Sequence, residues 1–381
     1  MTGGAGSVLF CGAWDDGPGY PRTQGLRQGI ERLGVSVREC RVNALGAQKR
    51  ELLSRPWRWP LVWWRTRRDR RRLLRQLRQL CAADAPRCVI VPYPGHHLVA
   101  PIKRSSPVPV VLDLFLSAYD TVVEDRGLCR PGSLGAAAMQ QLDTRACAAA
   151  DLVLLDTPEN AAYTATLTGL PPERFAWLPL TDPDAQGCIP FPVAKAPLRI
   201  LFFGTGVPLH GLDVLIDAVT RVEAVELVLV GGTWADRATA QQRLGPRLRL
   251  EPEFVDRARL RELMRDCHLV AGVFGPSGKA QRVVPWKVVI ALAAGRAVVT
   301  AETPAICGWL DGSGAVFLTP AGDAAALAAT LTELAADPLR VERAAAAACM
   351  AYDRHFASDR AAERWHHLLE RVETETREAT P

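Results

Sequence analysis

Two cations, Lys279 and Arg282, precede a short apolar stretch in a segment that could hold an anion. The segment starts at Phe274 and reads FGPSGKAQRVVPWKVVIALAAGRAVVTAETP. Pro285 suits the start of a helix and Gly295 its end, so we expect a glycine-containing loop, a helix and then a buried strand. Such a helix start directs free amides and the positive end of its dipole toward the loop. The pattern predicts an anion site; the alternative is a loop with two solvated cations.

A second group of residues could move protons. His96 and His97 follow one predicted strand, and Asp113 and Asp120 follow the next. Parallel strands bring their carboxyl ends to one edge of a sheet, and histidine titrates near neutral pH. We therefore take His96, His97 and Asp113 as catalytic candidates. The alternative is that both histidines are structural.

The stretch RPWRWPLVWWRTRRDRRRLLRQLRQL concentrates tryptophan and arginine. Its tryptophans are Trp57, Trp59, Trp63 and Trp64. Arg67–Leu80 has leucines at helical spacing and predicts a basic amphipathic helix. The chain has net charge +5 while residues 55–78 carry +9, so the remainder is net −4. We favour an anionic membrane surface as partner of the tryptophans and the Arg65–Arg78 run; nucleic acid and a core-packed helix with a solvated arginine face are the alternatives.

These groups need a framework, and apolar runs alternate with helical stretches as in parallel α/β sheets. The 381 residues, 48% hydrophobic and 23% charged, suit two soluble domains. We expect no signal peptide and no spanning helix. The ten cysteines show no metal-ligand spacing, so reduced thiols and a cytoplasmic location are expected.

The predicted organisation has four parts. Residues 1–185 form an amino-terminal Rossmann-like domain for the acceptor, which includes the Trp/Arg segment 55–80. The Pro/Gly-rich stretch 186–197 is a linker. Residues 198–350 form a second Rossmann-like domain, and a helix over 351–381 crosses back to the first domain.

The second half resembles the GT-B glycosyltransferases, in particular the bacterial family 4 type. ILFFGTGVPLHGLDVLIDAV is similar to the loop and helix that open the family's nucleotide-sugar domain, and ELVLVGG to its next strand. VVPWKVVIALAAGRAVVTAETPAI resembles its most recognisable block, and VFLTPAGDAAALAATLTELAADP its ending. The first half is similar more loosely, through GPGYPRTQGLRQGIERLG, PYPGHHLVAP and VVLDLFLSAYD. The resemblance implies two Rossmann-like, doubly wound domains facing across a cleft.

The resemblance also implies a set of site residues. Those expected to bind the nucleotide sugar are Gly204, Thr205, Gly206, His210, Gly231, Lys279, Arg282, Val284, Lys287 and Ile290. Those expected in a loop near the acceptor and the phosphates are Gly17, Gly19, Tyr20 and Asp120. A tight turn is the alternative for the glycine loop.

The chain departs from the family at the donor. The family has an Arg and a Lys where this chain has Thr205 and His210, and two glutamates where it has Arg282 and Ile290. Our hypothesis is that Lys279 and Arg282 bind the diphosphate instead, assisted by His210 and the backbone of residues 205–206. We expect Lys287 to be a supporting or solvated group.

The implied activity is transfer of a sugar from a nucleotide-diphosphate donor, with retention and without a bound metal or other cofactor. A donor phosphate oxygen would deprotonate the acceptor, and His96 or His97 would lie near the sugar. The acceptor would be lipid-linked or a cell-surface polysaccharide at the cytoplasmic membrane face. The alternatives are a catalytically inactive GT-B protein that binds membranes or assemblies, and a sugar-nucleotide epimerase.

Overall fold

The computed structural model describes residues 6–14, 21–42, 59–193 and 197–378. Gly17, Gly19, Tyr20 and Trp57 lie outside the described residues, as do the side chains of residues 59–65. The chain forms two compact units. One comprises Met1–Tyr119, Cys129–Leu178 and Ala361–Pro381, and the other comprises Asp120–Leu128 and Pro179–Arg360. The predicted domain bounds stay predictions.

The first unit contains a six-stranded parallel sheet in the order β2-β1-β3-β4-β5-β6. The strands are β1 (Ser7–Gly12), β2 (Ser36–Arg41), β3 (Val89–Val91), β4 (Val110–Asp113), β5 (Leu152–Leu155) and β6 (Phe175–Trp177). The helices are α1 (Pro21–Glu31), α2 (Trp59–Ala83), α3 (Val99–Lys103), α4 (Leu134–Ala149), α5 (Pro158–Thr168) and α14 (Ser358–Glu378). The inner strands β3 and β5 consist entirely of buried Val, Ile and Leu, because helices cover both faces of a parallel sheet, whereas the edge strand β2 is mostly polar and only partly buried.

The second unit contains another six-stranded parallel sheet, in the order β12-β11-β10-β7-β8-β9. Its strands are β7 (Leu198–Gly204), β8 (Val225–Gly231), β9 (Leu248–Leu250), β10 (Leu269–Ala271), β11 (Ala297–Ala301) and β12 (Val316–Thr319). Its helices are α6 (Leu212–Thr220), α7 (Trp234–Leu244), α8 (Arg257–Asp266), α9 (Gly278–Arg282), α10 (Trp286–Ala293), α11 (Pro304–Leu310), α12 (Ala324–Ala336) and α13 (Pro338–His355). The predicted class, two doubly wound α/β domains, is confirmed.

Helix α2 is longer than the predicted Arg67–Leu80, because it starts at Trp59 and ends at Ala83. Leu73 and Leu77 are fully buried in the core of the first unit, so its apolar stripe packs against its own domain. Its arginines from position 67 onward are exposed. Among the described residues, no helix has the length and apolar content to cross a bilayer.

Two expectations need correction. The segment around Lys279, predicted as a loop, forms the short helix α9, and Ser277 caps it by accepting a bond from the Ala280 amide. The expectation of reduced thiols is wrong for one pair, because Cys188 and Cys349 form a disulfide across 161 residues of sequence. The disulfide joins distant parts of the chain, so the spacing of the cysteines does not show it, whereas the cap of α9 is a local contact between residues three apart.

Candidate functional site

Glycines line the carboxyl ends of two adjacent strands in the second unit. Gly204 of β7 is paired with Gly231 of β8. A methyl group built on Gly231 would lie 2.1 Å from the carbonyl oxygen of Gly204, so only glycine fits there. Gly206 has a φ of 71°, in the left-handed region that glycine adopts without strain. These glycines therefore have no side chain of their own to cover the backbone at the strand end. In α/β sheets, ligands bind at the carboxyl ends of the strands.

Lys287 reaches this strand end from the first turn of α10. Its side chain is 5% exposed, and Nζ lies 3.8 Å from the centroid of the Phe202 ring. A methyl group built on Gly204 would lie 3.2 Å from Nζ. Among the described residues, Nζ has no hydrogen-bond partner, and burial lowers the pKa of Lys287 well below its usual value.

His210 lies on the other side of the same glycine. It ends the short turn Pro208–His210, and its ring packs edge-on against Phe202 with centroids 5.7 Å apart. Burial, and to a smaller extent the nearby charge of Lys287, lower the pKa of His210 to about 2. The imidazole is therefore neutral at physiological pH. We call the group formed by Gly204, Gly206, Gly231, His210 and Lys287 the strand-end site.

The cations Lys279 and Arg282 are held by acidic and polar groups. Arg282 Nη2 donates to Asp120 Oδ1 at 2.6 Å and to Glu124 Oε2 at 2.8 Å. Lys279 Nζ donates to Thr121 Oγ1 at 2.8 Å and lies 3.6 Å from Asp120 Oδ2. The expectation of two cations open to an anion therefore needs correction, because carboxylates already oppose their charge. Their predicted role on a diphosphate stays a prediction that requires these contacts to break.

Asp120 was predicted to lie in a loop near acceptor and phosphates. The structure places it at the start of a π-helical turn, Asp120–Asp125, where its side chain is 1% exposed. Burial raises the pKa of Asp120, and the charges of Lys279 and Arg282 oppose that rise. The carboxylate of Asp120 therefore interacts electrostatically with both Lys279 and Arg282.

Ile290 and Val284, the other residues expected at the donor, are buried with 4% exposure each. Ile290 lines a cavity of 40 Å³ together with Leu260 and the ion pair between Asp182 and Arg257. Arg257 Nη2 donates to Asp182 Oδ1 at 2.6 Å. Since an isoleucine side chain accepts no hydrogen bond, polar contacts at this position can come only from neighbouring groups.

His96 in the first unit is fixed by a carboxylate that the sequence did not single out. His96 Nε2 lies 3.1 Å from Asp143 Oδ1. Asp143 is fully buried and accepts bonds from Ser117 Oγ at 2.7 Å and from the amides of Ala118 and Tyr119, each at 2.9 Å. His96 is thus part of a closed hydrogen-bonded group.

The other two catalytic candidates have different surroundings. His97 is exposed. Asp113 is fully buried at the end of β4, and its Oδ1 accepts from Nε and Nη2 of Arg22 at 3.0 and 2.8 Å. Arg22 also donates to the backbone oxygens of Leu155 and Leu178. Burial raises the pKa of Asp113, and Arg22 opposes that rise.

Arg22 and Asp143 are the residues that the sequence interpretation missed. A weak signal exists for Arg22, because it follows the glycine loop at the start of α1. Asp143 lies in the middle of α4, where an acid ordinarily faces solvent. Only the folded chain shows that each is a buried partner.

A comparison with family models gives one match. Residues 197–337 match the family described as Glycosyl transferases group 1. A search of curated proteins gave no significant match. The family match covers the strand-end site and confirms the resemblance in the second half.

Three solved structures illustrate the similarity of fold. Sucrose-phosphate synthase from Thermosynechococcus elongatus is 13% identical, with a TM-score of 0.68 over 96% of this chain and 98% of that chain. HepE from Anabaena, in complex with UDP, is 16% identical, with a TM-score of 0.62 over 96% and 99%. A TarM variant from S. aureus, in complex with fondaparinux, alpha-GlcNAc-glycerol and UDP, is 13% identical, with a TM-score of 0.55 over 74% and 55%. The predicted GT-B fold is confirmed.

Proposed function

We propose that this GT-B glycosyltransferase, whose residues 197–337 match the group 1 family, transfers a sugar from a nucleoside-diphosphate donor to a lipid-linked or cell-surface saccharide acceptor. The observation that carries the proposal is the strand-end site, where bare glycine backbone and the buried cation Lys287 lie together. Backbone amides and one cation suit the negative charge of a diphosphate. HepE, of similar fold, has been solved with UDP and with UDP-glucose.

The proposed reaction retains the configuration of the sugar and needs no bound metal. A donor phosphate oxygen takes the proton of the acceptor hydroxyl. Among the predicted catalytic residues, His97 is exposed, whereas His96 is partly buried and Asp113 is fully buried. We therefore assign the sugar-contacting role to His97.

The proposed location is the cytoplasmic face of a membrane. The outer face of α2 supports it with exposed arginines whose positive charges match anionic lipid headgroups. They are Arg67, Arg68, Arg70, Arg71, Arg72, Arg75 and Arg78. The apolar stripe of α2 is packed inside the domain, so the attraction would be electrostatic.

The experiment is a transfer assay with labelled UDP-sugars and GDP-sugars and a bacterial lipid extract as acceptor, with and without EDTA. We expect lipid-dependent release of UDP or GDP that EDTA does not abolish. Proton NMR of the purified product would give the same anomeric configuration as the donor. An inverted product would contradict the retaining mechanism, and loss of transfer in EDTA would contradict metal independence.

A catalytically inactive GT-B protein is the second candidate. Ile290 favours it, because an apolar side chain stands where a hydrogen-bond acceptor is expected. Thermal stabilisation by UDP or GDP without transfer from any donor would support this candidate. Transfer by the wild type that is lost in His97→Ala would exclude it.

A further inference from the structure

Lys287 is a buried cation that the surrounding chain does not compensate. Lysine is almost never fully buried unless it is paired, because removing an ammonium group from water costs several kcal/mol. Among the described residues Nζ has no hydrogen-bond partner, and its close neighbours are the Phe202 ring and the neutral His210. The ring face attracts a cation weakly, at about 0.5–2 kcal/mol. Within the part of the chain that the structure describes, no carboxylate opposes the effect of burial on the pKa of Lys287.

The position of Lys287 shows where a negative charge would sit. Nζ lies beside Gly204. The residue after Gly204, Thr205, is exposed, so solvent reaches the chain next to the place where Nζ lies. Lys287 is also the second residue of α10, where backbone amides have no acceptor within the helix. Pro285 precedes the helix without a side-chain cap. An anion bound beside Gly204 would lie next to Lys287 Nζ.

The other cations of this unit near the helix start are already engaged. Arg282 binds Asp120 and Glu124, and Lys279 binds Thr121 beside Asp120. Among the described residues Lys287 makes no such hydrogen bond, and in this it differs from Lys279 and Arg282.

We propose that Lys287 binds the diphosphate of the nucleotide-sugar donor, and that it supplies the positive charge that Thr205 and His210 do not. The inference rests on the proposed function. It replaces the hypothesis that Lys279 and Arg282 serve as the main diphosphate ligands. Burial lowers the pKa of Lys287 in the protein without donor, so its ammonium form there costs free energy that the negative charge of a bound diphosphate would offset.

The test measures binding by calorimetry and stability by urea unfolding of the full chain. UDP, GDP, UMP and GMP are titrated into wild type, Lys287→Met, Lys287→Arg and the control Lys103→Met. Lys103 pairs with Asp151 in the first unit, so Lys103→Met makes the same lysine-to-methionine change outside the strand-end site. We expect Lys287→Met to weaken diphosphate binding about 10- to 100-fold and monophosphate binding less, and Lys287→Arg to retain part of the affinity. The control should bind as wild type does.

The empty Lys287→Met protein should unfold at the same or a higher urea concentration than wild type, because an uncompensated cation has been removed. A merely structural lysine would give the opposite shift. Equal diphosphate affinity of wild type and Lys287→Met would overturn the assignment and leave the proposed function standing. Failure of the wild type to bind either diphosphate would overturn the proposed function and the assignment together.

Discussion

Gly29 of α1 lies directly against the indole of Trp365 in α14. A methyl group built on Gly29 would lie 2.8 Å from Trp365 Cδ1 and 3.3 Å from the Cβ of Ala361. Trp365 is 1% exposed and has no room to move aside. The close approach of the two helices therefore depends on the missing side chain.

Gly29→Ala should destabilise the protein by about 1–3 kcal/mol, the usual cost of overpacking, although alanine favours helix more than glycine does. Urea unfolding followed by tryptophan fluorescence would measure it. In a double-mutant cycle, Trp365→Val should make the two losses non-additive, because valine lacks the Cδ1 atom that the added methyl group would meet. Additive losses would show that the clash is not with Trp365.

The buried pair of Arg22 and Asp113 should be sensitive to removal of either partner. Arg22→Met leaves a buried carboxylate and Asp113→Asn leaves a buried guanidinium, so each should cost about 3–5 kcal/mol. Arg221→Ala, which removes an exposed i,i+4 pair with Asp217, should change stability by about 0.5 kcal/mol or less. Wild-type stability of Asp113→Asn with lost activity would instead restore Asp113 as a catalytic residue.

The adjacent histidines should separate stability from catalysis. His96→Ala breaks a bond to buried Asp143 and should lower the unfolding free energy by about 1–3 kcal/mol. His97→Ala removes an exposed ring and should leave stability within about 0.5 kcal/mol while lowering kcat for sugar transfer. Activity assays and urea unfolding of the same preparations would show this split. The reverse pattern would exchange their roles.

His210 should make stability depend on pH. Its folded pKa is lowered to about 2 from 6.5, so between these values the unfolded chain binds a proton that the folded chain does not. Stability should therefore rise as pH increases toward 6.5 and level off above it, and the contribution of His210 should differ by about 1 kcal/mol between pH 5.5 and 7. The comparison with His210→Gln, measured by urea unfolding, isolates this contribution. Parallel pH profiles of the two proteins would contradict the burial of a neutral imidazole.

The arginine face of α2 should bind anionic vesicles through charge alone. Sedimentation with phosphatidylglycerol vesicles should show binding at 50 mM salt and release at 500 mM, because salt screens exposed charges. Replacing Arg67, Arg71 and Arg78 by Gln should weaken binding by at least tenfold, since each charge near the surface contributes about 1 kcal/mol. Binding that salt leaves unchanged would indicate an apolar anchor instead.

Much of the fold is predictable because it depends on local patterns. The alternation of apolar runs and helical stretches predicts the α/β class, and the glycine after α10, Gly295, has the left-handed φ of 69° that its position predicts. The resemblance implies that Gly204 and Gly231 lie at the donor site, and the structure places them opposite each other at the ends of two paired strands.

The partners of the site residues could not be predicted in the same way. Arg282 meets Asp120 across 162 residues and Arg22 meets Asp113 across 91, so no spacing in the sequence reveals either pair. The sequence shows Lys287 only as a cation within a predicted helix. Its side chain is buried against Phe202, which lies in a strand 85 residues earlier in the chain. Charge compensation is a property of the folded chain, and spacing in the sequence does not show it.

The two compact units are not consecutive in the chain, and this limits how the protein can be divided. A fragment of residues 1–185 would lack Trp365 and leave the Gly29 face of α1 bare. A fragment of residues 186–381 would lack Asp120 and Glu124, so Arg282 would lose its carboxylates. A cut at the predicted linker would therefore separate each half from a piece of its own core. The two parts must therefore be expressed and purified together as one chain.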